Sequence, residues 1–158
     1  MMTKLSILMY LKNMIAKTLL PNMYTHMQYP TSISKTLGLE TIDIGAGTAT
    51  IEIKTSIELH GNQQGTVHGG LISELADAAI GTAHSTYMAE GESFTTIELK
   101  INFYRPVFGG LLTAKARPLQ KGKNISHYFC EITNTEGKTI AIATSTVMTL
   151  YDERAKGR

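Results

Sequence analysis

The chain has 158 residues, of which 42% are hydrophobic and 18% are charged, a composition that excludes a disordered chain and predicts one globular domain. Its 15 basic and 13 acidic residues are spread along the chain and give a net charge of +2, which excludes the strongly basic surface of a nucleic-acid-binding domain. The single cysteine, Cys130, cannot form an intrachain disulfide, so we expect a packed, inert thiol and a cytoplasmic location.

The N-terminal region predicts a short amphipathic helix. Between residues 3 and 20, apolar residues recur at helical spacing until Pro21 ends the pattern. No apolar run is long enough to cross a membrane or to form a signal-peptide core. The polar stretch 22–34 predicts a connector. We therefore divide the chain into an N-terminal helix and connector (1–35), a main domain (36–151) and a short basic tail (152–158).

The main domain is predicted to be mostly β-sheet. Apolar and polar residues alternate on both sides of the turn at residues 45–47, which predicts a hairpin, and they alternate again from Thr96 to Phe103. Turn sequences at residues 109–110, 121–124 and 134–137 delimit three further strands, and such tight turns predict antiparallel neighbours. The expected fold class is α+β, with about six strands.

A helix is predicted after the second of these strands. From Leu71 to Ala83 the apolar residues recur at helical spacing and are mostly small. A sheet with one apolar face can bury that face by curling around such a helix. Ser73, Asp77 and His84 are predicted on the opposite, polar side.

Asp77 is the residue of this helix for which the usual structural roles of an aspartate give the least explanation. It lies in the third turn, beyond any capping role, and it has no basic partner four residues away. A solvated acid is the alternative interpretation, and it suits Glu74 better. The small residues around Asp77 favour a site that another group approaches closely.

The start of the helix is unusual because His68-Gly69-Gly70 offers no Ser, Thr, Asp or Asn cap. We expect the first backbone N–H groups to be unpaired, and glycine allows a ligand to approach them. Free donors at the positive end of a helix form an anion or oxyanion site. The alternative is a tight turn whose donors bind water.

These motifs resemble one known family. The run N-x-x-G-x-x-H-G-G from Asn62 to Gly70, the aspartate nine residues after the histidine, and T-T-I-E-L-K-I-N-F-Y-R-P from Thr95 to Pro106 are similar to the hotdog-fold acyl-CoA thioesterases. The most similar branch contains the phenylacetate-pathway thioesterase and the small mammalian acyl-CoA thioesterase. The resemblance extends from about residue 37 to 150 and implies a long antiparallel sheet wrapped around one central helix, with the N-terminal helix as an addition.

The resemblance also implies catalytic roles. Asp77 corresponds to the catalytic carboxylate, Gly69 supplies the backbone N–H that polarises the thioester carbonyl, and Asn62 helps to orient the reacting group. Thr96 corresponds to the hydroxyl that positions water, which is serine in some relatives. We expect His68 to brace the loop with some substrate contact. In this family the site forms between subunits, so a homo-dimer or homo-tetramer is implied.

Coenzyme A is implied as part of the substrate, with no further cofactor. The residues implied to contact it are Phe103, Tyr104, Arg105, Pro106, Lys121, Gly122, Lys123 and Asn124. Lysines in such a turn are as often merely solvated. No metal is expected, because the spacing of His60, His68 and His84 matches no ligand set.

The predicted activity is hydrolysis of an acyl-CoA, with Asp77 either activating water or attacking the thioester itself. A non-catalytic acyl-CoA-binding module on the same fold is the alternative. A dehydratase is disfavoured because no histidine and acid are arranged for dehydration. The sequence does not distinguish aromatic from aliphatic acyl groups.

Overall fold

The computed structural model describes residues 1–156. The helices are α1 (Ile7–Ile15), α2 (Ser32–Leu37), α3 (Ile57–His60) and α4 (Gly69–Ser85), and a 3-10 turn spans Asp152–Ala155. The strands are β1 (Thr3–Lys4), β2 (Met23–Tyr24), β3 (Glu40–Gly45), β4 (Thr48–Thr55), β5 (Ser93–Phe103), β6 (Gly110–Lys121), β7 (Ile125–Asn134) and β8 (Thr139–Leu150).

Strands β3 to β8 form one antiparallel sheet in the order β3-β4-β6-β7-β8-β5, which confirms the predicted α+β class and strand number. The prediction that β5 and β6 are neighbours is wrong, because β5 pairs with β8 at the far edge of the sheet. Residues 104–109 instead carry the chain across to β6. On the way Val107 O accepts a hydrogen bond of 2.8 Å from Val67 N–H, which ties this crossover to the loop before α4.

Helix α4 lies inside the curve of the sheet. Its inward residues are fully buried against β4, β6 and β7: Leu75, Ala76, Ala79, Ile80 and Ala83. Three of these five residues are alanine. Small side chains let the helix axis approach the strands closely, so one layer of side chains fills the space. Packing therefore determines which face of α4 remains outside the core.

The N-terminal region differs from its prediction. Helix α1 ends at Ile15, well before Pro21, and Lys17 adopts a left-handed φ of 57°. The predicted connector contains β2, which pairs in parallel with β1, and the start of α2, whose C-cap Gly38 has a φ of 72°. None of the helices within residues 1–156 combines the length and hydropathy needed to cross a bilayer. Residues 157 and 158 of the predicted basic tail lie outside the described residues.

Candidate active site

The acid of α4 and the hydroxyl of β5 meet in the structure. Thr96 Oγ1 donates a hydrogen bond of 3.0 Å to Asp77 Oδ1, and both side chains are half-buried. The register between β5 and β8 shifts between Thr96 and Glu98, so β5 carries a bulge beside this pair. Bulges re-aim side chains next to sites, and here Ile97 is left 52% exposed.

The expectation of an uncapped helix start is wrong. His68 is the N-cap of α4, and its Nδ1 accepts a hydrogen bond of 2.9 Å from Gly70 N–H. A neutral imidazole can cap a helix in this way because one ring nitrogen is an acceptor. The N–H of Leu71 donates to His68 O at 3.0 Å, whereas no residue in 1–156 accepts from Gly69 N–H. One free donor therefore remains at the positive end of the helix.

Asn62 holds the loop before α4. Its Oδ1 accepts hydrogen bonds from Gln64 N–H at 2.9 Å and Thr66 N–H at 3.2 Å, and its Nδ2 donates to Thr66 Oγ1 at 2.9 Å. The carboxamide has two N–H donors, so one of them is still free for a ligand.

A cavity of about 330 Å³ brings several of the predicted residues together. Asn62 and Gly69 line it with the end of β5 and the crossover, including Phe103, Tyr104, Arg105 and Pro106. A Cβ on Gly69 would lie 3.2 Å from Phe103 Cζ, which is tighter than an ordinary contact. The absence of a side chain at Gly69 therefore lets the phenyl ring lie this close to the helix start. Larger cavities, of about 780, 530 and 360 Å³, lie elsewhere and contain none of these residues.

The turn at residues 121–124 lies away from that cavity. Lys121, Gly122 and Lys123 line a separate cavity of about 190 Å³, where Lys121 Nζ is 3.9 Å from the centroid of the Tyr87 ring. Asn124 follows in the same turn. Strand pairing connects this turn through β8 to the start of β5, which is the end that carries Thr96.

The predicted residues thus form two groups within one protomer. Asn62, His68 and Gly69 are with the end of β5, whereas Asp77 and Thr96 are with its beginning. Gly69 and Asp77 are separated by eight residues of α4, which corresponds to about 12 Å along the helix. They cannot both contact one reacting carbon in the same protomer.

Two residues of α4 differ from their predictions. His84 does not lie on an exposed polar face but is 1% exposed, with Nδ1 3.1 Å from Tyr128 Oη and Nε2 3.0 Å from Thr149 Oγ1. Burial, with a smaller effect of Lys121, lowers its pKa to about 4. Glu74 is half-buried rather than solvated, and desolvation followed by the charge of Asp77 raises its pKa.

Other reactive groups have no comparable arrangement. Burial, followed by the charge of Glu131, raises the pKa of Cys130 to about 12, as expected for a packed thiol rather than a nucleophile. In the part of the chain that the structure describes, no three His, Cys, Asp or Glu side chains are grouped to hold a metal ion. Phe94 lies two residues before Thr96 on the same face of β5, although no sequence pattern distinguishes it.

The chain is similar to several known proteins. The family model described as the thioesterase superfamily matches residues 64–141. The acyl-coenzyme A thioesterase PaaI of Escherichia coli is 32% identical over 110 residues, or 69% of this chain and 76% of that protein. The medium/long-chain acyl-CoA thioesterase YigI of E. coli is 30% identical over 135 residues, covering 76% of this chain and 86% of YigI. A Haemophilus influenzae protein is 31% identical over 83 residues, which span 60% of its length.

The solved structure of E. coli PaaI, a protein from the phenylacetic acid degradation operon, superposes with a TM-score of 0.71 and 29% identity, over 77% of this chain and 86% of PaaI. An antiparallel sheet curved around one long helix is the hotdog fold. The chain belongs to the acyl-CoA thioesterase family within the thioesterase superfamily. It is accordingly a thioester hydrolase.

Proposed function

We propose that the protein hydrolyses an acyl- or aryl-coenzyme A to the free acid and coenzyme A, at sites shared by two protomers. One observation carries this proposal. The free Gly69 N–H and the Asp77 carboxylate are the groups that thioester hydrolysis needs, yet they lie about 12 Å apart on one helix. A second protomer can bring the two groups together.

Strand β5 supports a dimer because it is a sheet edge. Among residues 1–156 it pairs only with β8, and it exposes Ile97 by 52% and Phe103 by 49%. An unpaired edge strand of eleven residues can pair with another strand, and a two-fold axis makes that pairing antiparallel. Thr96 lies in the first half of β5 and Phe103 at its end. Pairing about the middle of β5 would therefore set Thr96 and Asp77 beside Gly69 of the partner subunit.

The proposed reaction uses each half of this site. The Gly69 N–H of one protomer donates to the thioester carbonyl oxygen, where negative charge develops. The Asp77 carboxylate of the other takes a proton from water, and the water oxygen bonds to the carbonyl carbon. The C–S bond breaks, the acid is released, and the coenzyme A thiolate takes up the proton. Thr96 holds the carboxylate by donating to Oδ1, which leaves Oδ2 free for water.

The same pairing supports a binding region for coenzyme A. It would bring the crossover, Phe103 to Pro106, of one protomer near the turn at residues 121–124 of its partner. Lys121 and Lys123 are exposed there and suit phosphate groups. Because coenzyme A is part of the substrate, the proposed reaction uses no other cofactor. We also propose a cytoplasmic location, which the single buried thiol of Cys130 supports.

Mixed dimers test the shared site. Gly69→Pro removes the proposed donor, and proline is tolerated at the first helical position because the preceding His68 is already extended, with a ψ of 132°. Gly69→Ala is the matched control, since it adds a Cβ near Phe103 but keeps the N–H. Gly69→Pro and Asp77→Asn are each expected to be inactive in a thiol-release assay with acyl-CoA esters.

A purified heterodimer of the two variants, made by co-expression with two different tags, combines one intact site with one doubly defective site. It is expected to recover about half of the wild-type rate. A heterodimer as inactive as its parents would show that the site is not shared. Binding of acyl-CoA without thiol release by the wild-type protein would show a non-catalytic module.

A further inference from the structure

Helix α4 and strand β5 also meet beyond Asp77, where Gly81 and Phe94 form an apolar contact that we call the seam. Gly81 follows Asp77 by one turn of α4, and Phe94 precedes Thr96 by two residues on the same face of β5. A Cβ on Gly81 would lie 3.5 Å from Cε2 and 3.6 Å from Cζ of Phe94. The phenyl ring therefore lies against the helix at the level of Gly81, next to the paired acid and hydroxyl.

His84 fixes the position of this ring. The rings of His84 and Phe94 meet edge to face, with centroids 5.3 Å apart and an interplanar angle of 67°. Hydrogen bonds to Tyr128 and Thr149 hold both nitrogens of His84, so the imidazole has little freedom to rotate. Phe94 is half-buried, so part of its surface is exposed in the protomer.

Packing within the protomer does not account for Gly81. Glycine destabilises a helix interior relative to alanine, and the 3.5 and 3.6 Å separations are ordinary van der Waals contacts that a methyl group would make. An alanine would therefore fit and would strengthen α4. A glycine that the protomer does not need is explained if another molecule approaches this face of the helix.

We infer that Gly81 and Phe94 form one wall of the pocket for the acyl group and that Phe94 limits the size of the group accepted. This inference rests on the proposed function. The reacting carbon must lie within reach of water held by Asp77, and Gly81 is about 6 Å farther along the helix. Coenzyme A is charged and polar, whereas this stretch of the seam is apolar, so the acyl group is the part of the substrate that suits it.

The test compares kcat/KM for acyl-CoA esters from two to sixteen carbons and for phenylacetyl-CoA. Phe94→Ala removes the wall and is expected to raise kcat/KM for the longest accepted esters, relative to acetyl-CoA, by about tenfold or more. Gly81→Ala narrows the pocket and is expected to lower the same ratio by about tenfold. Phe129→Ala is the matched control, since Phe129 lies on the outer face of the sheet under Arg117. Its ratio is expected to equal that of the wild type.

Each ratio is measured within one variant, so partial unfolding cancels. Ratios that equal the wild-type value in both Phe94→Ala and Gly81→Ala would overturn the inference. So would a monomeric Gly81→Ala on size exclusion, since the glycine would then serve the contact between subunits. Failure of the proposed function has a different signature, namely full activity of Asp77→Asn, whatever the two ratios are.

Discussion

Two polar side chains of α4, Asp77 and His84, have opposite environments. Asp77 and His84 are seven residues apart and project on nearly the same side of the helix. His84 is 1% exposed, and both of its nitrogens have partners. Asp77 is half-buried and receives one hydrogen bond, although a carboxylate can accept about four. Unused acceptor capacity, rather than polarity on a helix, distinguishes the candidate catalytic group from a core residue.

The difference arises from what surrounds each side chain. Tyr128 of β7, Thr149 of β8 and Phe94 of β5 surround the imidazole of His84. Asp77 instead receives its one hydrogen bond from Thr96 of β5, which is the edge strand of the sheet. A partner subunit that pairs with this edge would approach the side of the protomer that carries Asp77.

Asp77→Asn is expected to have the largest effect in this comparison. Removing the proposed base should lower kcat by about 100-fold to 10,000-fold in a thiol-release assay, while the midpoint of thermal unfolding stays close to that of the wild type. Glu74→Gln, one turn away, is the control for loss of an acidic charge and is expected to retain most activity. Wild-type turnover by Asp77→Asn would assign the chemistry to another group.

His84→Ala is expected to show the reverse pattern. It leaves a cavity and two buried hydroxyls without partners, so the free energy of unfolding should fall by roughly 2–4 kcal/mol in urea titrations. Turnover of acetyl-CoA per folded molecule should change far less than in Asp77→Asn. A large loss of acetyl-CoA turnover with unchanged stability would contradict a core role for His84.

Acid conditions should expose the same contrast more weakly. The pKa of His84 is lowered to about 4 in the folded protein, below the ordinary 6.5, so the unfolded chain binds more protons between these values. This residue's contribution to stability is therefore present above pH 6.5 and decreases as the pH falls towards 4. The stability gap between wild type and His84→Gln should narrow from pH 7 to pH 5 in urea titrations. A gap that widened over this range would refute the assignment.

Thr96→Val should have the smallest effect, a fall in kcat of about tenfold, because it removes a hydrogen bond to Asp77 but leaves the carboxylate. Thr96→Ser restores the hydroxyl and should recover the rate. The measurement is again thiol release under saturating substrate. A wild-type rate in Thr96→Val together with a loss in Thr96→Ser would mean that the methyl group, not the hydroxyl, matters.

The strands and the central helix could be predicted from sequence because their signals are local. Period-two alternation and glycine turns delimit β3 to β8, and the small apolar residues of α4 reveal its buried face. Sheet order has no such signal. The position of β5 beside β8 depends on pairing between residues about 50 apart in sequence, as in Phe94 with Thr149.

Some parts of the candidate site could likewise be predicted from sequence, and others could not. Asp77 was identifiable because no capping or ion-pair role explained it, and the structure places Thr96 on it. The environment of His84 could not be predicted, since its hydrogen-bond partners lie on two distant strands. The cap of α4 was missed because histidine is an uncommon cap, although His68 stood in the N-cap position.

The N-terminal segment is fastened to the rest of the protein from two directions. Ile7 and Leu11 are buried in the common core, and Tyr29 Oη donates to Ser85 Oγ at the end of α4. Removal of residues 1–22 would keep the hydrogen bond of Tyr29 but omit α1, uncovering apolar surface beside β3. Such a shortened chain should aggregate more readily than the full chain, so α1 protects the rest of the fold from self-association.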